Sequence, residues 1–170
     1  MIYRPRKKET LDKWLAGDAF SELMDTGDEH ILKLIQVREE HGLDTAWIFY
    51  TALLFIEDNG LLAACKAATS LYEDALINSG YNEDIDYTPV VNFINRLRNV
   101  HGKSNNNRRY KWPVTPNKQY AGDVIVLANF LLYIVSRKIR YVNISRQREV
   151  RIHATLSIFR DDILPWFDSN

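Results

Sequence analysis

The sequence predicts an all-α protein, a single-domain bundle of about six or seven helices, and three observations carry that reading. Apolar residues return at three- and four-residue spacing in segment after segment, the period of one face of a helix. Between these segments stand helix stops and starts: Gly42, Asn59-Gly60, Ser79-Gly80, Thr88-Pro89, Gly102 and Pro165. Finally, 170 residues suffice for one domain with a real core and would be cramped for two. Hydrophobic residues at 46% and charged residues at 26% are ordinary for a soluble globule, which excludes wholesale disorder.

Residues 1–9 read as an extended basic arm, Arg4-Pro5-Arg6-Lys7-Lys8, that either frays or touches nucleic acid. Thr10 is the expected cap of a first helix carrying Leu11, Trp14, Leu15 and then Leu23. Asp28 caps a second, with Ile31, Leu32, Leu34, Ile35 and Val37 as its stripe, and Gly42 ends it. From Asp44, as a cap, the stretch through Ile56 is apolar nearly all round, so it should be the central buried helix. Asn59-Gly60 breaks or bends it, and a helical pattern resumes from Leu61 to Asn78. Thr88-Pro89 pairs a cap with a proline at the first helical position. The helix that follows turns Val90, Phe93, Ile94 and Leu97 inward and delivers Arg96, Arg98 and His101 near its end. Residues 102–118 form a basic irregular loop. Ala121 to Lys138 is a long apolar helix, Tyr141 to Ile144 a short extended link, and 145–165 a C-terminal helix capped by Ser145 and closed by Pro165.

The net charge is zero, yet the two halves differ sharply. Residues 1–86 hold eight Lys+Arg and seventeen Asp+Glu, a net of −9; residues 87–170 hold fourteen and five, a net of +9. Within the second half, Tyr87 to Gly122 contains Arg96, Arg98, Lys103, Arg108, Arg109, Lys111 and Lys118 and no acid. Surfaces ordinarily mix their charge signs, so such a window points to a polyanionic partner. In the loop, Arg108, Arg109, Tyr110, Lys111 and Trp112 interleave cations with two rings. That pattern suits phosphate contact with base stacking on a single strand, or else rings tucked onto the core of the domain. Lys103 adds to the same surface. Arg146 and Arg148, with Arg151, lie in the first turns of the last helix, where the dipole disfavours cations, so they too are candidate nucleic-acid contacts.

His101 and the arginines before it supply what phosphodiester cleavage without metal requires. An imidazole moves a proton near neutral pH, and a guanidinium holds a phosphate through two parallel hydrogen bonds. Arg98 and His101, three apart, share a helix face; Arg96 and His101, five apart, are about 140° around the axis and roughly 7.5 Å along it.

The run Asn95-Arg96-Leu97-Arg98-Asn99-Val100-His101-Gly102-Lys103-Ser104 resembles the signature of the HEPN superfamily, in which an Arg followed by a polar residue precedes a His by four to six residues. Leu97-Arg98-Asn99 followed by His101-Gly102-Lys103 is also similar to the abortive-infection C-terminal branch. Arg96 has the family's gap of four but is followed by Leu97, and Arg98 has the Asn but a gap of two. The resemblance covers residues 44–138 and implies a HEPN-like four-helix core. It further implies a homodimeric, metal-independent ribonuclease of prokaryotic antiviral defence or toxin–antitoxin type. RNA would be its substrate and an antitoxin or other defence protein a possible partner. His101 would then handle the proton of a 2′-hydroxyl attack, Arg96 or Arg98 the phosphorane-like charge, and Asn99 the orientation of phosphate or ring.

The competing expectation is a non-catalytic helical module that binds nucleic acid or protein, with His101 an ordinary residue at a helix C-terminus. No cofactor or metal site is expected, since His30, His41, His101 and His153 are scattered and there is no HExxH. Cys65, alone on a face of small residues, is expected to act as a buried hydrophobe. The longest apolar run, Val124 to Val135, is too short to span a bilayer, so a cytoplasmic protein without membrane partners is expected.

Overall fold

Eleven consecutive residues, 46–56, are buried, and the other helices are arranged to cover them. The structure is a computed structural model that describes residues 3–78, 84, 86–102, 110–114 and 121–165. Among these it contains eight α-helices and no strand: α1 (Lys8–Ala16), α2 (Asp18–Thr26), α3 (Glu29–His41), α4 (Leu43–Asn59), α5 (Leu61–Asn78), α6 (Thr88–His101), α7 (Ala121–Lys138) and α8 (Arg146–Ile158). A 3-10 turn, Ile139–Tyr141, follows α7, and a π-helical turn, Phe159–Ile163, continues α8. The chain is thus the all-α, single-domain bundle its sequence predicts.

α7 lies along both α4 and α5, and α3 packs on the other flank of α4. α6, α8 and the π turn pack together against the far side of α5. One continuous core joins Leu11, Phe49, Phe55, Tyr72, Phe93, Leu97, Leu131, Ile152 and Ile163. Each large apolar side chain taken fully from water contributes about 1.5–3 kcal/mol, so the near-complete burial of α4 is the main contribution from any one helix.

Several boundaries follow the local chemistry. The Asp28 carboxylate accepts the His30 amide at 2.9 Å, and Ser145 Oγ accepts the Arg148 amide at 3.5 Å. Gly60 turns the chain from α4 into α5 at φ +90°, a conformation that strains any side chain, although a Cβ there would meet nothing. Other boundaries differ from the expectation. The first helix is two, broken at Gly17, because Gly is a poor helix former and its amide bonds back to Trp14 to close α1. α1 starts at Lys8 rather than after Thr10. α4 starts at Leu43, so Asp44 lies in its first turn, where it pairs with Lys8 at 2.6 Å. Thr88 is likewise already helical, and its amide bonds the Asp86 side chain at 2.9 Å.

The basic arm, where described, is docked on its own chain. Arg4 Nη2 donates to both carboxylate oxygens of Asp58 at 2.9 and 3.0 Å, Pro5 is buried, and the Tyr50 hydroxyl donates to the Pro5 carbonyl at 2.7 Å. Burial drives the Tyr50 pKa up, so this hydroxyl stays a donor.

Phe55 carries the weight of the far end of the core, with Trp112 at 4.4 Å and Tyr110 at 5.8 Å between ring centroids. Phe55→Ala is expected to cost about 3–5 kcal/mol in urea unfolding and to red-shift tryptophan emission as Trp112 loses its support. An unchanged midpoint would show that these rings are not seated there.

Candidate functional site

The C-terminal end of α6 is held from three sides by the fold. Arg96 and Arg98, two residues apart, point about 200° apart around the helix, and each meets an acid from another element. Arg96 Nη1 lies 2.8 Å from Asp162 on the π turn, and Arg98 Nε lies 3.6 Å from Glu73 on α5. The acids are the deeper partners: side-chain exposure is 17% for Asp162 and 7% for Glu73, against 45% and 49% for the arginines. Charge deprived of water is favoured by a cation beside it, so each arginine already serves an acid of its own chain before any ligand is considered. Asn99 is exposed on the outer face of α6.

His101 turns inward to α8. The Thr155 hydroxyl donates its one hydrogen to the Arg151 carbonyl at 2.8 Å, the back-bond usual for a helical threonine. Toward the imidazole it is therefore an acceptor, so Nε2 carries the proton and donates at 2.7 Å. Nδ1 is left with its lone pair, buried, and has no hydrogen-bond partner among the described residues. Thr155 also shares a hydrogen bond with the Cys65 thiol of α5. Burial raises that thiol's pKa to about 12, so Cys65 is a packed, protonated group rather than a nucleophile. Three helices thus meet at one buried hydroxyl.

Burial lowers the His101 pKa to about 4, and the charges of Lys66 and Arg151 push the same way. The ring is neutral at pH 7. Gly102 ends α6 just beyond it at φ +81°, its amide bonding the Arg98 carbonyl at 2.8 Å.

The other candidates separate in space. Lys103, Arg108 and Arg109 lie outside the described residues. Tyr110 and Trp112 are half-buried against Phe55, packed onto the core, which is the second of the two alternatives the sequence leaves open; Lys111 between them is exposed. Arg146 and Arg148 are exposed on the first turn of α8, and Arg151 is exposed on the next. Lys138 and Arg148 line a small cleft of about 290 Å³ whose other walls are mostly apolar, with Ile56, Leu61, Leu62 and Ile152 beside Asn59. Beside it Tyr141 is 81% exposed, an unsupported ring next to cations that the sequence reading had placed in a mere link. Asp28, Glu29 and Glu57 line a pocket together with Tyr141 and Lys138. Residues 137–151 carry six cations and one acid, Glu149, which lies 3.6 Å from His153.

Among the described residues no group of three or more His, Cys, Asp or Glu side chains is placed to hold a metal ion, and no helix is long and apolar enough to cross a membrane. Compared with protein families, with curated proteins and with solved structures, the chain matches none. Fold and site together therefore define an all-α bundle with two cationic regions. The one at the end of α6 is largely neutralised from within; in the other, Arg137 pairs with Glu29 at 2.9 Å, while Arg140, Arg146, Arg148 and Arg151 make no ion pair among the described residues.

The neutral ring makes a pH prediction whose sign is fixed. Unfolded, His101 titrates at its ordinary value of 6.5, and folded at about 4. Between these values the unfolded chain binds a proton that the folded chain does not. This contribution is therefore complete above pH 6.5 and is lost as pH falls toward 4. His30, lowered by burial and by Lys138, adds with the same sign. In an NMR titration His101 is expected to remain the neutral Nε2–H tautomer at pH 5.5, and His101→Gln to flatten the acid limb of the stability curve. A ring that titrates near 6.5 contradicts this arrangement.

Proposed function

We propose that this chain is a non-catalytic helical module that binds single-stranded RNA along the edge formed by the 3-10 turn and the first turns of α8. One observation carries the reading: Arg146, Arg148 and Arg151 are exposed with a single acid among them, at a helix start where the dipole disfavours cations. Stability does not account for cations there; a polyanion does. Tyr141 supplies an open ring face on which an unpaired base can stack, and the cleft between Lys138 and Arg148 is of a size for a phosphate. Asp28, Glu29 and Glu57, which line a pocket with Tyr141 and Lys138, set one limit of the track.

The inward-facing His101 supports binding without cleavage. General acid–base work at neutral pH needs a ring that titrates near 7 and reaches the moving proton. Here Nε2 is engaged by Thr155, Nδ1 is buried, and protonation is disfavoured well below neutrality.

A second reading keeps the resemblance of Arg96–Ser104 to HEPN ribonucleases. It is favoured by Arg96 and Arg98 remaining about half exposed at the same helix end as His101. In it, two copies bring these ends together, His101 is released from Thr155, and RNA is cut without metal by 2′-hydroxyl attack. An antitoxin or other defence protein would be its natural partner.

Labelled single-stranded RNA incubated in EDTA separates the two. The expected result is binding without cleavage, weakened at least tenfold by Arg146→Glu with Arg148→Glu and unchanged by His101→Ala, with affinity falling steeply as salt rises. EDTA-resistant cleavage abolished by His101→Ala would establish the nuclease instead. Equal binding of duplex DNA, or none of any nucleic acid, would remove the RNA module.

A further inference from the structure

α7 and α8 both pack on α5 but hardly touch each other, and the wedge between them is a groove of about 720 Å³. Its walls are apolar and partly aromatic: Phe130 and Tyr133 from α7, Leu156 from α8 and Phe159 from the π turn. Its rim is of one sign. Lys33, Arg140 on the 3-10 turn and Arg160 on the π turn stand around it with the His153 imidazole, which lies 3.6 Å from Glu149, and no carboxylate lines it among the described residues. Asp161, exposed, lies 3.7 Å from Arg160 outside the groove.

Three features mark this as a built site rather than a packing gap. The π turn presents neighbouring residues, Phe159 and Arg160, to the same cavity, one as wall and one as rim; such turns recur at functional positions. Lys33 is fixed at the mouth with its ammonium 5.3 Å from the centre of the Tyr133 ring. Asn129 lines the groove while its Oδ1 accepts the Tyr72 hydroxyl, so its amide hydrogens are the donors on the groove side. The volume is that of a small-molecule site, and apolar walls with a few convergent polar groups are the usual composition of one.

From this we infer that the groove binds a small amphiphilic anion: an apolar body lying between α7 and α8, and one carboxylate or phosphate head held among Lys33, Arg140 and Arg160. A polyanion would meet too few cations over too much hydrocarbon. A neutral apolar molecule would place no anion among Lys33, Arg140 and Arg160.

Calorimetric titration of the full chain with decanoate and with decyl phosphate, each below its micelle concentration, tests the site and distinguishes the two heads. The expected result is one saturable site per chain for at least one of them, weakened at least tenfold by Arg140→Glu with Arg160→Glu, and competed at least tenfold less well by decanol. Both arginines are exposed, so the double variant should melt as wild type does. As a second probe, Ser157→Trp, which fills the groove, is expected to abolish the site. No saturable site with either anion overturns the proposal. So do equal competition by decanol and binding unaffected by the double variant.

Discussion

A helix without a polar face has to be covered on every side, and α4 imposes that requirement on the rest of the chain. α3 and α7 take its long flanks, α5 folds back beside it through Gly60, and the docked arm, through Pro5 and Tyr50, adds cover of its own. Trp112 and Tyr110 complete the cover at Phe55. Because α7 serves both α4 and α5, it is occupied on its inner side along most of its length. α8 is left to pack on α5 and α6 instead. The groove between α7 and α8 is a consequence of that division.

Much of this was legible because it is local. A cap followed by a stripe, a glycine after the last apolar turn and an eleven-residue apolar block all act within one helix, so Asp28, Gly42, Gly60 and α4 read correctly from sequence alone. What was misread or left open depended on balance or distance. Gly17 interrupts a pattern whose apolar period continues through it, from Leu15 to Ala19 and Leu23, so periodicity alone joins α1 to α2. Tyr110 and Trp112 alternate with cations in sequence as a binding loop would, and only the position of Phe55 decides where the rings go.

The acid-free window shows the same limit in electrostatic form. From Tyr87 to Gly122 no carboxylate occurs in sequence, and the inference of an unopposed cationic surface follows naturally. Folding brings Glu73, buried, from one side and Asp162, half-buried, from the other, and the two arginines nearest His101 in sequence become their partners. Conversely, the cations that do bear on His101 are Lys66 and Arg151, on other helices. Thr155, which fixes the ring, is 54 residues away and carries no mark in the sequence that links it to a histidine. Charge patterning along a chain is a statement about neighbours in sequence; the field at a ring is set by neighbours in space.

α8 shows how one helix can serve three surroundings. Ile152 and Thr155 face α5 and α6, Arg146 and Arg148 face outward, and Leu156 and Ser157 face the groove. An ordinary helix continuing past Ile158 would carry that assignment on unchanged. The π turn instead adds one residue to a turn, which rotates everything after it by about 100° relative to an unbroken α-helix. Asp162 is thereby directed to Arg96 and Ile163 into the core, while Phe159 and Arg160 stay at the groove. The same local widening therefore neutralises one end of α6 and completes the one-signed rim on the opposite side of α8. A regular helix of the same sequence would have to give up one to keep the other.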